Sequence, residues 1–191
     1  YTINKTMMRV DLPKPLAAGA SYAFKVSWWY NINDRFKEGG RSGYEFFPKD
    51  SNYIYAIAQF FPRMCVYDDI NGWQHKQFLG GGEFTLVFGD YDVKITVPAD
   101  HAVAATGTLQ NAKEILTKTQ YDRYAQAQKS YVDPVKIITN EEAVMMEAGR
   151  LSTEKTWHFK ATNVRDFAFA SSRKFIWDAM AVKQAESPDV M

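Results

Sequence analysis

The sequence predicts a mainly β protein, an antiparallel β-sandwich, with one helical stretch at about residues 111–150. Three observations carry that expectation. Aromatic residues make up 15% of the chain, and they suit a pleated, half-buried surface. Short apolar runs recur between Gly- and Pro-containing breaks, the spacing of antiparallel strands. Between Asn111 and Arg150 the apolar period becomes helical.

Taken in order, Thr6–Leu12 reads as a short β run closed by Pro13 and Pro15. Ser21–Ile32 alternates cleanly, with Tyr22, Phe24, Val26 and Trp28 on one side, and is expected to be a strand. Asn33–Phe47, with its charges and Gly39, Gly40 and Gly43, is expected to be a long exposed loop. Its aromatic end, Tyr44, Phe46 and Phe47, could dock. Tyr53–Phe60 carries few polar residues on either side and reads as a strand covered on both faces. Pro62 cannot donate to a ladder and should end it.

Asn71–Gly72 is a turn signal, Trp73–Leu79 a short strand, and Gly80–Gly82 a flexible turn ahead of a strand at Glu83–Phe88. Tyr91–Val97 is a strand stopped by Pro98, and His101–Leu109 another. Thr117 with Gln120, and Thr139 with Glu142, are capping boxes that open two helices. The first should turn Tyr121, Tyr124 and Ala125 inward. The second should bury its Met145–Met146 pair and stop near Gly149. Val132–Ile138 between them reads as a short strand. The β pattern resumes at Trp157–Val164, where Trp157, Phe159 and Ala161 alternate with His158, Lys160 and Thr162. It continues through Phe167–Ala170 and Phe175–Ala179.

With 191 residues the chain is one large domain or two small ones. Its 23 basic and 22 acidic residues leave a net charge of +1, so composition implies neither nucleic acid nor an anionic membrane as partner. No apolar stretch is long enough for a membrane span, and no signal-peptide pattern is present. The lone Cys65 excludes an internal disulfide and reads as a buried thiol. Both ends read as cut, which raises the expectation of a piece from a longer polypeptide.

The charged residues near the central strand call for partners, because charge in apolar company is costly alone. Arg63 is expected to pair with Asp68 or Asp69, and Arg165 with Asp166, as structural ion pairs. A catalytic dyad of Asp68 and Asp69 would need a third polar group to separate their roles. His75, His101 and His158 lack metal-ligand neighbours at helical spacing and read as surface or edge residues. No Gly-x-Ser-x-Gly elbow or nucleotide fingerprint is present. The residues by themselves show no reaction centre.

Three ordered segments carry a resemblance. They are Gln59–Asp69 with Gly72–Trp73, then Gly82–Phe84 through Phe88–Pro98 with Ala104–Gly107, then Trp157–Phe159 through Val164–Ala170. Their order resembles the N-terminal β-domain of the aminopeptidase N type of zinc metallopeptidase, the M-one family, in a bacterial branch. The resemblance spans about Tyr53 to Asp178. It implies one saddle-like β-sandwich domain over the catalytic domain of the same polypeptide, with residues 111–150 as a helical insertion. The chain would itself be non-catalytic, with no cofactor of its own, and zinc would belong to the absent catalytic domain.

Gln59 then matches the first position of a Gln-x-Glu/Gln segment at the mouth of the peptide pocket, and Phe61 stands where the second polar residue should be. The resemblance leans towards export and implies an exposed apolar docking patch around Phe167, Phe169 and Trp177. The alternative is a freestanding module binding carbohydrate or protein through Tyr44–Phe47 and Trp28–Trp29.

Overall fold

The computed structural model describes residues 1–79, 81, 85–185 and 190–191. In chain order its elements are β1 (Thr2–Asn4), β2 (Met7–Arg9), α1 (Arg35–Glu38), β3 (Gly43–Phe47), β4 (Asn52–Ile57), β5 (Tyr67–Asp68), β6 (Gly72–Trp73), β7 (Gly89–Pro98), β8 (Ala102–Ala105), β9 (Thr108–Leu109), α2 (Ala112–Ile115), α3 (Lys118–Ala127), β10 (Val135–Ile138), α4 (Asn140–Ala148), β11 (Glu154–Val164), β12 (Phe169–Ser172) and β13 (Trp177–Ala179). The protein is mainly β, 34% strand and 15% helix, in several small antiparallel sheets with short helices, and among the described residues no sheet closes into a barrel.

The chain divides into two compact units. The smaller comprises Tyr1–Asn31 and Phe61–Phe88, the larger Ile32–Phe60 and Gly89–Met191.

The larger unit holds a four-stranded sheet, β3-β4-β12-β8, a three-stranded sheet, β7-β11-β9, and the pair β10-β13. β11 shows why alternation becomes burial. Trp157, Phe159 and Ala161 are buried, while Lys160 and Thr162 are exposed. β7 pairs along its whole length, with Trp157 opposite Ile95 and Phe159 opposite Val93. Trp157 stacks beside Phe159 at 6.3 Å and meets Trp177 at 6.2 Å, and Trp177 in turn meets Tyr124 of α3 at 5.8 Å. Both capping boxes form as expected, Thr117 with Gln120 and Thr139 with Glu142. They satisfy the first free amides of α3 and α4. Tyr124 and Ala127 fill the inner side of α3, and Arg123 ties it to α4 through Glu142 at 2.7 Å.

Gly107 is required where it stands. Its φ is +90°, and a Cβ there would lie 2.3 Å from the Lys160 carbonyl oxygen. The turn between β8 and β9 therefore passes against the β11 backbone with no room for a side chain.

Several expectations are corrected here. Residues 33–47 are not one long loop: α1 and strand β3 form within them, because Gly43–Phe47 finds the edge of β4. Tyr44 and Phe46 pack on Tyr53 at 5.5 and 4.8 Å. β4 ends at Ile57, ahead of Pro62. β3 supplies no partner beyond Ala56, and the Ser42 hydroxyl takes both backbone groups of Ala58 instead. β4 is an inner strand, yet Tyr53 is exposed, so one face is more open than expected. In α4, Met145 is 73% exposed and only Ala143 is buried. Phe167 is fully buried, so it cannot belong to an exposed patch.

The smaller unit contains two hairpins, β1-β2 and β5-β6. The second turns through Asp69–Asn71, where the Asn71–Gly72 signal was expected to act, and Gly72, at φ +68°, opens β6. No described residue of this unit is buried. Ser21–Asn31, expected as strand, forms no ladder, and Trp29 is 86% exposed. Gln74–Leu79 and Thr85–Phe88 are likewise without strand. Of the Gly80–Phe84 readings, Gly80, Gly82, Glu83 and Phe84 lie outside the described residues. Cys65 is half-buried.

Candidate functional site

Gln59 lies just past the end of β4. It is exposed, and its φ of +53° is left-handed. Few residues other than Gly or Asn adopt this conformation without local cost. The Ser42 hydroxyl fixes the preceding residue, donating to the Ala58 carbonyl at 3.2 Å and accepting the Ala58 amide at 3.1 Å. Gln59 thus lies two residues past the end of β4, where one hydroxyl takes the place of the β3 ladder while Ile57 still pairs with Phe169 of β12.

Beside this strand end the larger unit has a shallow hollow of about 430 Å³. Its lining includes Ala56, Ala170 and Ala104, which are direct neighbours across β4, β12 and β8. Three methyl groups in a row leave a trough in the sheet surface. Phe169 forms part of the wall and meets Phe60 edge-on at 5.3 Å. The lining offers no acid, base or nucleophile apart from the cation of Arg41. Its chemistry is that of apolar contact, not reaction.

A second cluster lies inside the same unit. The His101 ring Nδ1 and the Ser171 hydroxyl are 2.9 Å apart, at 3% and 2% exposure. Asp100 carries one oxygen 2.9 Å from the Arg173 guanidinium and accepts the Leu151 amide with the other at 2.8 Å. Burial, with Arg173 nearby, pushes the His101 imidazole from 6.5 down to about 4. For Asp100, burial acts upward, but the Arg173 contact and the Leu151 amide together hold it below its ordinary value. A serine and a histidine therefore meet, but the aspartate faces Arg173 and the Leu151 amide instead, and the hydroxyl is buried. The neutral ring and the buried ion pair belong to the polar interior of the fold, with Asp100 Oδ1 and Arg173 Nε held by charge at 2.9 Å and without a well-aligned hydrogen bond. The expectation that His101 sits at the surface or an edge is corrected: the turn after Pro98 folds it inward. One signal in the sequence pointed this way, the charged Arg173 immediately after an Ala-Ser-Ser strand.

The other candidate residues fall elsewhere. In the smaller unit Arg63 donates to the Val87 carbonyl at 3.3 Å and lies over the Phe61 ring at 5.4 Å. Asp68 accepts the backbone amides of Ile70 and Asn71 and the side-chain amide of Gln74. The Asn71 amide foremost, then Gln74, holds its carboxyl below the usual range. Asp69 is exposed. In the larger unit Arg165 is exposed, and Asp166 accepts the Phe167 amide at 2.8 Å. His158 contacts Asp92 at 2.6 Å, and His75 of the smaller unit is exposed. Gln59 and Phe61 belong to different units. Among the described residues no group of three or more His, Cys, Asp or Glu could hold a metal ion. No helix among the described residues is long and apolar enough to cross a membrane. Set against models of protein families, curated proteins and solved structures, the chain matches none.

Proposed function

We propose that this chain is the non-catalytic N-terminal β-sandwich domain of an aminopeptidase N-type zinc metallopeptidase, shaping the entrance to a peptide cleft. Its partners are then the catalytic domain of the same polypeptide and the peptide substrate. Zinc and the acid–base groups belong to that other domain.

One observation carries most of the weight. Two of the resembling segments, far apart in sequence, pair strand to strand: Gly89–Pro98 with Glu154–Val164, and Ala102–Ala105 with Phe169–Ser172. Motifs that assemble together support a shared origin better than isolated matches do. The exposed, left-handed Gln59 at the strand end adds to this reading, because uncommon backbone conformations concentrate at binding sites. The docking surface is not at the buried Phe167.

The test is hydrolysis of aminoacyl-naphthylamides. The chain alone should show none, and a protein extended through a downstream His-Glu-x-x-His should be active. In that longer protein Gln59→Ala should raise KM several-fold with kcat little changed. Hydrolysis by the chain alone, or an open reading frame without His-Glu-x-x-His, refutes the proposal. A second reading, a freestanding binding module, is favoured by the exposure of Trp28 and Trp29, 49% and 86%. It requires binding to a carbohydrate or protein array that is lost in a Trp28→Ala, Trp29→Ala double variant.

A further inference from the structure

His101 sits where several elements of the larger unit converge. Its ring meets the Ser171 hydroxyl of β12 at 2.9 Å and the Tyr55 ring of β4 at 6.2 Å. The charges around it are Asp100 on its own turn, Arg173 just past β12, and Lys155 of β11. Arg173 is already matched to Asp100. Lys155 is itself partly buried, and burial holds its ammonium below the ordinary value, with Asp100 opposing. The local sum is two cations and one anion. A third cation has no counter-charge among these groups.

The same turn is held by the Asp100–Arg173 ion pair and by three backbone amides. The Ala99 amide donates to the Thr153 carbonyl, the His101 amide to that of Pro98, and the Leu151 amide to Asp100. β8, which follows directly, is the edge strand of its sheet and among the described residues pairs only with β12.

We propose that His101 is an acid-sensitive latch whose protonation releases the turn at Ala99–His101 and the edge strand β8 from β12. Neutral, the ring bonds Ser171 inside the sheet. Charged, it must leave a buried site that already holds two cations against one anion. The sign follows from linkage. The folded state binds this proton more weakly than the open state, so closure is favoured above the open-state value of 6.5 and is lost as pH falls from there towards 4. The β7–β11 ladder carries His158, but that ring is only half-buried and faces the Asp92 carboxylate of β7 at 2.6 Å, a counter-charge that His101 lacks, so this ladder stays closed.

Hydrogen–deuterium exchange on the full chain at pH 7 and pH 5, corrected for intrinsic rates, tests this. Protection at residues 99–105 should fall roughly tenfold or more at pH 5, with residues 91–97 changing less than twofold. His101→Gln keeps a donor for Ser171 without a titrating ring and should lose the pH dependence. Equal protection at both pH values, or the same fall in His101→Gln, overturns the proposal. If that variant does not fold, the ring resonances of the unaltered chain decide. A ring neutral at pH 5, whose protonation coincides with loss of the β8 amide signals, supports the latch. A ring that titrates near 6.5 with those amides unmoved refutes it.

Discussion

Ser21–Ile32 and Glu154–Val164 alternate equally well as sequences, and they meet opposite fates. The second is a ladder with every other side chain buried, paired on both sides by β7 and β9. The first forms no strand, and its Tyr22, Phe24 and Trp28 stay exposed. Alternation describes what a strand could bury; it does not supply the neighbour that receives the hydrogen bonds. The contrast extends to the two units as wholes. Every buried described residue lies in the larger one.

The strongest way to break this contrast is a pair of tryptophan deletions. Trp157→Ala, at 1% exposure, should cost about 3–5 kcal/mol, enough to unfold or nearly unfold the larger unit in a thermal melt. Trp29→Ala, at 86% exposure, should stay within about 0.5 kcal/mol. Equal losses would mean that the smaller unit has a core of its own.

A smaller effect sharpens the comparison through glycine. Gly107→Ala forces a Cβ onto the Lys160 carbonyl and should cost roughly 2–4 kcal/mol, read from the urea midpoint. Gly72→Ala in the smaller unit meets nothing closer than the Tyr67 ring at 4.0 Å, so only its positive φ opposes it, at about 1 kcal/mol. The ratio of the two losses measures how much crowding adds to backbone strain.

The smallest expected effect concerns a cap. Thr139→Ala removes the hydroxyl that accepts the Glu142 amide and should lower stability by about 1 kcal/mol, visible as faster amide exchange in the first turn of α4. Thr139→Ser should restore most of it. An unchanged exchange rate in Thr139→Ala would show that the Arg123–Glu142 contact holds this helix end unaided.

What could be read from the sequence follows the range of the interaction. Both capping boxes were legible, because a box closes over a few residues and needs nothing distant. The Asn71–Gly72 turn and the alternation of β11 were legible for the same reason. β3 was not: its charges and glycines look like a loop, and only the edge of β4 makes it a strand. His101 was misread because its burial depends on Ser171 and Arg173, far along the chain. Phe167 is core, not patch: it packs against Tyr91 of β7, more than seventy residues earlier in the chain. Of the candidate site, Gln59 was named by the resemblance alone, and its left-handed backbone and the hydroxyl of Ser42 behind it were not legible in the sequence.

The register that sets Ile57 opposite Phe169 also sets a delay. A ribosome that has just finished β4 must add about a hundred more residues before β12 exists. At common elongation rates that takes on the order of ten seconds. Throughout that interval Tyr53 and Tyr55 sit on a strand with one flank vacant, ready to stick to another nascent chain. The yield of soluble protein should therefore depend on translation speed and on chaperones that shield this segment, even if the finished molecule is stable.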